Sequence, residues 1–207
     1  MEFFRRAEGQ PGRLGILPGT FNPVTGAHLA LARAARNFCD EIVFVLPRVF
    51  PHKEYTGATL EERMQLLDEV VRSESGFSLA VAEAGLFVDI AAECRQAYGT
   101  HVRLSFLCGR DAAERIVEWD YGAEGSVAEM LRQFDLLVAA REGDYTPPSS
   151  LAPGIQPLPM AAEFGFVSAT AVRAQVAKAG AWEHLVPPEI RNQVRQIYSR
   201  GTVTAKD

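Results

Sequence analysis

The sequence is poor in cysteine and histidine and has no long apolar run. Its three cysteines, Cys39, Cys94 and Cys108, stand far apart, with no CxxC pair and no histidine at metal-site spacing. This spacing indicates neither a disulfide framework nor a zinc site, and it favours a reduced, cytoplasmic protein. No stretch approaches the roughly 18 apolar residues that a membrane span needs. We therefore expect no membrane partner and no bound structural metal.

The sequence also has fewer positively charged residues than negatively charged ones, with 21 Lys and Arg against 26 Asp and Glu. The net charge is −5 at pH 7, which argues against nucleic acid as a partner, because broad nucleic-acid binding needs a positive footprint. A nucleotide ligand is compatible with this charge, since a few local cations and backbone amides are enough to hold it. Residues 1–12 contain no apolar signal segment and are predicted to be a flexible N-terminal extension. The remainder, 13–207, fits a single domain, and a homo-oligomer is left open.

The apolar residues alternate between strand-like and helix-like spacing. Arg13–Leu17 and Glu41–Leu46 are short apolar runs on either side of residues at helical spacing, which predicts a βαβ unit. Further strands are predicted over Phe77–Ala82, Val102–Cys108 and Asp135–Ala140, and further helices after Thr59, around 90–98, across 112–133, over Ser168–Lys178 and after Pro187. A proline-rich surface loop is predicted over Glu142–Pro159. This order indicates an α/β fold with a doubly wound parallel sheet and C-terminal helices, and such sheets bind ligands at the carboxyl ends of their strands.

The loop after the first strand carries the first candidate site. Gly19 permits a tight exit from the strand, and the amides at the start of the next helix would face an anion. Thr25 and His28 can face one side of the first helical turn, where a hydroxyl and an imidazole could donate to phosphate oxygens. Neither GxxxxGK[ST] nor GxGxxG occurs in the chain, which excludes the P-loop and the dinucleotide fingerprint. On local features alone, an ordinary N-cap and a packed histidine explain the segment equally well.

A second candidate phosphate site is predicted near the C-terminal end. Ser168 or Thr170 can cap a helix there, and the first-turn amides of that helix offer another anion site. Arg173, one turn further along, adds a forked cation that suits phosphate. Taken alone, the S-x-T-x-x-R pattern is more typical of a capped helix with an exposed arginine.

Together, these two segments resemble the signatures of the HIGH-type nucleotidyltransferases. Residues 19–28 read GTFNPVTGAH and resemble G-T-F-[DN]-P-x-[HT]-x-G-H, while residues 167–173 resemble I-S-x-T-x-[IV]-R. The resemblance to the nicotinate mononucleotide adenylyltransferase family runs from about Leu14 to Tyr198. It implies a Rossmann-like fold and transfer of AMP from ATP, with Mg²⁺, to a small phosphomonoester such as nicotinate mononucleotide.

Other segments carry the same resemblance. Pro51–His52–Lys53 resembles the family's PPHK-type loop, with Arg63 in the following helix as in that family. Gly109 and Asp111, followed by Trp119, resemble its G-x-D segment and tryptophan. The segment that begins at Arg141 resembles its R-P-G, and residues 185–189 resemble its L-V-P closing segment.

The resemblance also implies a role for each candidate residue. It implies catalytic roles for His28, Thr25, Lys53 and Arg173. It implies nucleotide contacts from Gly19, Thr20, Phe21, Asn22, His28, Gly109, Asp111, Arg141, Ser168, Thr170 and Arg173. It implies acceptor contacts from Lys53, Trp119, Phe87 and Ile90, the last two at the positions of a T-x-x-T stretch in the family.

The chain departs from the family pattern at three places. Thr25 stands where the nicotinate mononucleotide branch has histidine, as it does in the phosphopantetheine adenylyltransferase branch, and Ala27 stands where the family has glycine. Phe87 and Ile90 bring no hydroxyl to the T-x-x-T positions, so backbone amides would have to bind the nicotinate group. Two alternatives are therefore kept open. One is an enzyme of this fold with another acceptor, such as nicotinamide mononucleotide or phosphopantetheine, or with CTP as donor, and the other is a nucleotide-binding protein without turnover.

Overall fold

The computed structural model describes residues 1–49, 57–118, 127–139, 145–160 and 167–200. Seven strands form one sheet: β1 (Glu2–Arg5), β2 (Arg13–Pro18), β3 (Glu41–Pro47), β4 (Phe77–Ala82), β5 (Arg103–Gly109), β6 (Asp135–Ala139) and β7 (Ile155–Pro157). Their order across the sheet is β1-β4-β3-β2-β5-β6-β7. The strands β2 to β7 run parallel, and β1 runs antiparallel to β4 at one edge.

The helices connect these strands and close the C-terminal part. They are α1 (Gly26–Ala35), α2 (Leu60–Val71), α3 (Phe87–Tyr98), α4 (Arg110–Glu118), α5 (Val127–Met130), α6 (Ala169–Ala177) and α7 (Arg191–Tyr198). Short 3-10 turns lie at Ala152–Gly154, Glu183–Leu185 and Pro188–Ile190. No helix in the described ranges is long and apolar enough to cross a membrane.

Two apolar layers cover the two faces of the sheet. One layer packs α1, α2, α6 and α7 against one face, around Phe44 and Leu67. The other packs α3, α4 and α5 against the opposite face, around Ile90 and Phe106. The strands β3 and β4 are buried along their whole length, which explains why they read as unbroken apolar runs rather than as alternating patterns. The doubly wound α/β fold predicted from the sequence is confirmed.

The strand order places the ligand cleft. β2 is central and pairs with β3 on one side and β5 on the other. From β2 the chain continues outward to β3 and then to β4, and it returns across the sheet to form β5 on the other side of β2. The helices that follow β2 and β5 therefore pack on opposite faces of the sheet. This is a topological switch point, where doubly wound sheets open a crevice at the carboxyl ends of the strands. In this chain that crevice lies beyond Pro18 and Gly109.

Local signals in the sequence marked several boundaries correctly. Thr59 caps α2 in a capping box: its Oγ1 accepts from the Glu62 N–H at 3.2 Å, and the Glu62 carboxylate accepts from the Thr59 N–H at 2.9 Å. Gly99 ends α3 with φ of 94°, a left-handed value that favours glycine. The predicted helical stretch 112–133 is represented by α4 and α5, and the residues between them lie outside the described part.

Two expectations for the fold are corrected. Residues 2–5 are not a flexible extension but the edge strand β1, with Glu2 opposite Val81 and Phe3 opposite Ala80. The edge strand is held by backbone pairing with β4 and by packing of Phe3 against Tyr98, and a four-residue segment is too short for either to produce a recognisable pattern in the sequence. The predicted surface loop 142–159 contains β7, whose Ile155 pairs with Leu136 of β6. A strand of three residues with proline at its end is too short for a periodic pattern.

Candidate active site

The first loop leaves β2 through Gly19, and the ring of Phe21 packs in the core beneath it. The Gly19 N–H donates to the Val45 carbonyl at 3.0 Å. A methyl group at Gly19 would lie 3.0 Å from the Phe21 ring, closer than packed carbons approach each other. Phe21 itself has φ of 45°, a left-handed value that is uncommon for a bulky residue. Glycine at position 19 thus lets the ring pack closely under the loop, and any side chain there would have to displace the ring.

His28 lies in the first turn of α1 and is turned by Thr25. The Thr25 N–H donates to Nδ1 of His28 at 3.0 Å, and Thr25 Oγ1 lies 2.8 Å from the same nitrogen. Because a backbone N–H can only donate, Nδ1 is an acceptor, and we assign the ring hydrogen to Nε2. The Phe21 ring supports the imidazole edge-on, with 5.1 Å between ring centroids. His28 is half-buried and presents an N–H donor at Nε2.

Thr25 acts differently from the sequence-based prediction. Its side chain is 0% exposed, and its hydroxyl faces His28 Nδ1, so it does not offer that hydroxyl to a ligand. Phe21 is similarly buried in the core, at 1% exposure, so a nucleotide contact from Phe21 has to come from its backbone. Both side chains therefore orient His28, because the N-cap geometry of α1 and the packing under the loop turn them inward.

The second predicted site joins the first in space. Ser168 is the N-cap of α6, and its Oγ accepts from the Ala171 N–H at 3.1 Å. Arg173 Nη1 donates to the carbonyl of Asn22 in the first loop, and Nη2 donates to Thr170 Oγ1 at 3.3 Å. Thr170 is exposed and Arg173 half-buried. The two motifs, which lie at opposite ends of the chain, therefore form one site rich in hydrogen-bond donors.

Two residues that sequence reasoning did not place in the site hold the same loop. Arg63 of α2 donates from Nη1 to the Thr20 carbonyl at 2.8 Å. Tyr198 of α7 donates from its hydroxyl to Asn22 Oδ1 at 2.6 Å. Burial raises the pKa of the Tyr198 phenol, while the nearby guanidinium groups of Arg173 and Arg63 act in the opposite direction. Tyr198 therefore stays protonated at neutral pH and remains a donor.

The carboxyl end of β5 forms the other side of the cleft. Gly109 ends that strand, and Asp111 lies exposed in the first turn of α4. Cys108, beside them, is buried, and burial raises the pKa of its thiol to about 12. A protonated, buried thiol is inert as a nucleophile. Within the described ranges, no three His, Cys, Asp or Glu side chains come together as a metal site.

The predicted acceptor residues divide into two groups. Lys53 and Trp119, with the nucleotide candidate Arg141, lie outside the described residues and stay predictions. Ile90 is 0% exposed and packs in the core, so a side-chain contact with an acceptor is ruled out. Phe87 is half-buried and stacks on Phe106 at 4.4 Å between centroids. Both side chains are drawn into the apolar layer because α3 needs an apolar face against the sheet.

The N-terminus of α3 nevertheless lies at the carboxyl edge of the sheet, where ligands are expected. Leu86 is the N-cap residue and makes no side-chain cap hydrogen bond. The first-turn amides of α3 are therefore not capped by Leu86, and the helix dipole favours a negative charge at that end. Backbone amides can thus take over the task that the T-x-x-T hydroxyls perform in the family.

Comparison with known proteins agrees with this geometry. A family model described as cytidylyltransferase-like matches residues 16–175, which include both predicted phosphate sites and the strands between them. The fold and the site thus define the class of protein as a nucleotidyltransferase of the cytidylyltransferase-like type.

Relatives define the family within that class. A protein of Gloeobacter violaceus named "Probable nicotinate-nucleotide adenylyltransferase" is 30% identical over 91% of this chain and 95% of its own length. A protein of Stenotrophomonas maltophilia with the same name is 30% identical over 85% of this chain and 91% of its own length. The chain belongs to the nicotinate-nucleotide adenylyltransferase family.

A solved structure shows the same fold at greater distance. Nicotinic acid mononucleotide adenylyltransferase of Plasmodium falciparum, complexed with NaAD, superposes with a TM-score of 0.68 at 16% identity, covering 89% of this chain and 93% of that one. The same enzyme complexed with APC superposes with a TM-score of 0.65 at equal coverage.

Proposed function

We propose that this chain transfers AMP from ATP to nicotinate mononucleotide, giving deamido-NAD and pyrophosphate. The observation that carries this proposal is the hydrogen bond from Arg173 of the second motif to the Asn22 carbonyl in the loop of the first. It joins an imidazole donor, a guanidinium and two helix N-termini at the crevice of the sheet. That combination suits a triphosphate, whose oxygens need several fixed donors. The acceptor is inferred from the family to which the chain belongs.

In the proposed AMP transfer, the protein accelerates the reaction by positioning ATP and the acceptor, and no protein side chain acts as the nucleophile. A phosphate oxygen of nicotinate mononucleotide attacks the α-phosphorus of ATP in line. The bond between the α-phosphorus and the oxygen that bridges to the β-phosphate breaks, and pyrophosphate leaves with that oxygen. Such transfers depend on aligned reactants and on donors for the charge that develops on the phosphoryl oxygens.

We assign each candidate residue a place in this step, including Lys53, which lies outside the described residues. His28 donates from Nε2 to an oxygen of the α- or β-phosphate. Arg173, with the first turn of α6, holds the β- and γ-phosphates, and Lys53 approaches the acceptor or the triphosphate. Mg²⁺ prefers phosphate oxygens and water as ligands, so we propose that it enters with ATP and lowers the negative charge on the leaving pyrophosphate.

The first-turn amides of α3 are the proposed recognition site for the nicotinate carboxylate. A carboxylate gains from the helix dipole and from charge-assisted hydrogen bonds, whereas the neutral carboxamide of nicotinamide mononucleotide gains much less. Favourable charge at a helix terminus is worth about 0.3–2 kcal/mol. The chain should therefore prefer the nicotinate form by up to about thirtyfold from this contact alone.

An acceptor panel tests the proposed function. Purified protein is incubated with Mg-ATP and, in turn, nicotinate mononucleotide, nicotinamide mononucleotide or phosphopantetheine, and pyrophosphate release is measured. We expect release with nicotinate mononucleotide at a kcat/KM about tenfold above that with the nicotinamide form. A parallel reaction with CTP in place of ATP is expected to be slower. Release with phosphopantetheine alone, or ATP binding without release from any acceptor, contradicts the proposal.

Substitution of Thr25 tests the proposed orientation of His28. Thr25→Val keeps the buried shape but removes the hydroxyl next to Nδ1, and a hydrogen bond of this kind contributes about 0.5–1.5 kcal/mol. We expect kcat to fall by up to about tenfold, with little change in the KM of the acceptor. Thr25→Ser, which restores the hydroxyl, serves as the matched control and should keep most of the turnover. Equal turnover of the valine and serine variants would show that the hydroxyl does not position the imidazole.

A further inference from the structure

We propose that Arg63 is a positioning residue for the nucleotide: its guanidinium orients the Thr20–Phe21 peptide so that the Phe21 amide faces the phosphate site. Arg63 lies on α2 and reaches the loop after β2 from behind, through the Thr20 carbonyl, so it has no assigned contact with the ligand in the proposed reaction. The inference rests on the proposed function, since it assumes that the loop after β2 binds phosphate.

The burial of Arg63 is the first observation that points to this role. Its side chain is 3% exposed, and a buried cation is costly unless it is well hydrogen-bonded. Arg63 donates from Nη1 to the Thr20 carbonyl at 2.8 Å and from Nε to the Thr59 carbonyl at 3.2 Å. The contact with Thr59 stays within the N-terminus of α2, whereas the contact with Thr20 reaches the loop after β2, 43 residues away in the sequence. The guanidinium thus ties the start of α2 to the loop after β2.

The hydrogen bond from Arg63 to the Thr20 carbonyl also fixes the direction of the Phe21 N–H, because both groups belong to one peptide. The Thr20–Phe21 peptide is planar and trans, so its carbonyl and its N–H point in opposite directions. The Thr20 carbonyl points toward α2, which packs over β4 and α7 on the outer part of the sheet. The Phe21 N–H therefore points away from the guanidinium of Arg63, and in this proposal it faces the crevice beyond the carboxyl end of β2.

The conformation of Phe21 requires such support. Its φ of 45° is a left-handed value that a bulky residue adopts only when its surroundings hold it there. The ring is held by Gly19, by His28 and by Phe44 at 5.6 Å between centroids. Packing of the ring fixes the side chain, and Arg63 fixes the preceding peptide. The loop therefore reaches the ligand with the Phe21 amide already aligned.

Only arginine can make both contacts. Its planar fork presents Nε and Nη donors in fixed directions, whereas lysine offers one compact ammonium group. Arg63→Lys therefore keeps the positive charge but loses one of the two hydrogen bonds to the Thr20 and Thr59 carbonyls. Arg63→Gln removes the charge and keeps a short donor, and Arg72→Gln on the same helix is the matched control, because Arg72 is exposed and pairs with Glu69.

The test measures turnover, ligand affinity and stability of the same variants. A misplaced contact group can cost about a hundredfold in rate, so we expect Arg63→Lys and Arg63→Gln to lower kcat/KM for ATP by about that factor. The KM for nicotinate mononucleotide should stay within about twofold of that of the unchanged protein, because this proposal assigns the loop amide to the phosphates of ATP and not to the acceptor. Affinity for pyrophosphate, measured by calorimetry, should fall at least about tenfold in both variants. Arg72→Gln should match the unchanged protein in all three measurements.

Chemical rescue separates positioning from simple support of the fold. Free guanidinium ion is added to an Arg63→Ala variant at concentrations that leave the Tm of the unchanged protein unaltered. Partial recovery of kcat supports the proposal, because the ion can occupy the vacated site and bind the Thr20 carbonyl. If the Arg63 variants keep pyrophosphate affinity and turnover, or lose both only in proportion to a lower Tm, the proposal is overturned. If the unchanged protein shows no turnover with any acceptor, the proposed function fails, whereas the pyrophosphate measurement still decides the role of Arg63.

Discussion

Replacing His28 with alanine should lower kcat by about a hundredfold to a thousandfold, which corresponds to about 2.7–4 kcal/mol of transition-state stabilisation. The imidazole is held by Thr25 at Nδ1 and supported by the Phe21 ring, so its Nε2 donor is fixed before the reaction begins. A preorganised donor of this kind stabilises charge that grows on a phosphoryl oxygen in the transition state. Initial rates of pyrophosphate release at saturating ATP and acceptor measure the effect.

His28→Gln separates the catalytic role from the structural one. The third residue of a helix can complete a capping box when it is Gln or Glu, because its side chain accepts from the N-cap N–H. Glutamine should therefore replace His28 as the acceptor for the Thr25 N–H, and it should recover most of the roughly 1 kcal/mol of stability that alanine loses. It should not recover turnover. His184→Ala changes an exposed histidine and should leave both kcat and Tm unchanged. A glutamine variant with the turnover of the unchanged protein would show that His28 only caps α1.

The second large effect is expected at Arg173. Its guanidinium holds the Asn22 carbonyl and Thr170, and in the proposed reaction it also faces the β- and γ-phosphates. Hydrogen bonds to charged groups contribute about 1.5–3 kcal/mol each. Arg173→Met loses the loop contact and the ligand contact together, so kcat/KM for ATP should fall by about a thousandfold. Rates at subsaturating ATP, with the acceptor saturating, measure this ratio.

Arg173→Lys separates the effect of the positive charge from the effect of the planar guanidinium geometry. Lysine can approach the phosphates but cannot also hold the Asn22 carbonyl and Thr170 Oγ1 in a planar fork, so we expect an intermediate loss of about tenfold to a hundredfold. Lys178→Met, at the exposed C-terminal end of the same helix, is the matched control and should behave like the unchanged protein. If Arg173→Met raised only the KM of nicotinate mononucleotide, the guanidinium would belong to the acceptor side of the cleft rather than to the triphosphate.

Much of the fold could be predicted because the signals are local. The buried parallel strands β2, β3 and β4 appear as short apolar runs, since both of their faces are covered. The start of α2 is marked by Thr59 and Glu62, and the end of α3 by Gly99, because caps are satisfied by residues within one turn. The edge strand β1 escaped prediction because its partner, β4, is distant in sequence.

The candidate site could be predicted from the sequence less completely than the fold. The sequence pointed to His28, Ser168, Thr170 and Arg173, since each belongs to a recognisable motif. It could not show that Thr25 turns inward, or that Ile90 is fully buried. Whether a side chain faces a ligand or the core depends on which layer covers it, and that is decided by packing rather than by residue type.

The two sequence motifs, the doubly wound fold and the family were thus determined by the sequence itself, because motif residues and apolar periodicity are properties of short segments. Only the tertiary structure decided how the first loop is held: by Arg63 at Thr20, and by Arg173 and Tyr198 at Asn22. The contacts at Asn22 join positions from opposite ends of the chain, and the contact at Thr20 joins two elements 43 residues apart. They form because the strand order brings the carboxyl end of β2, the start of α2 and the C-terminal helices to one edge of the sheet, and no local pattern encodes that order.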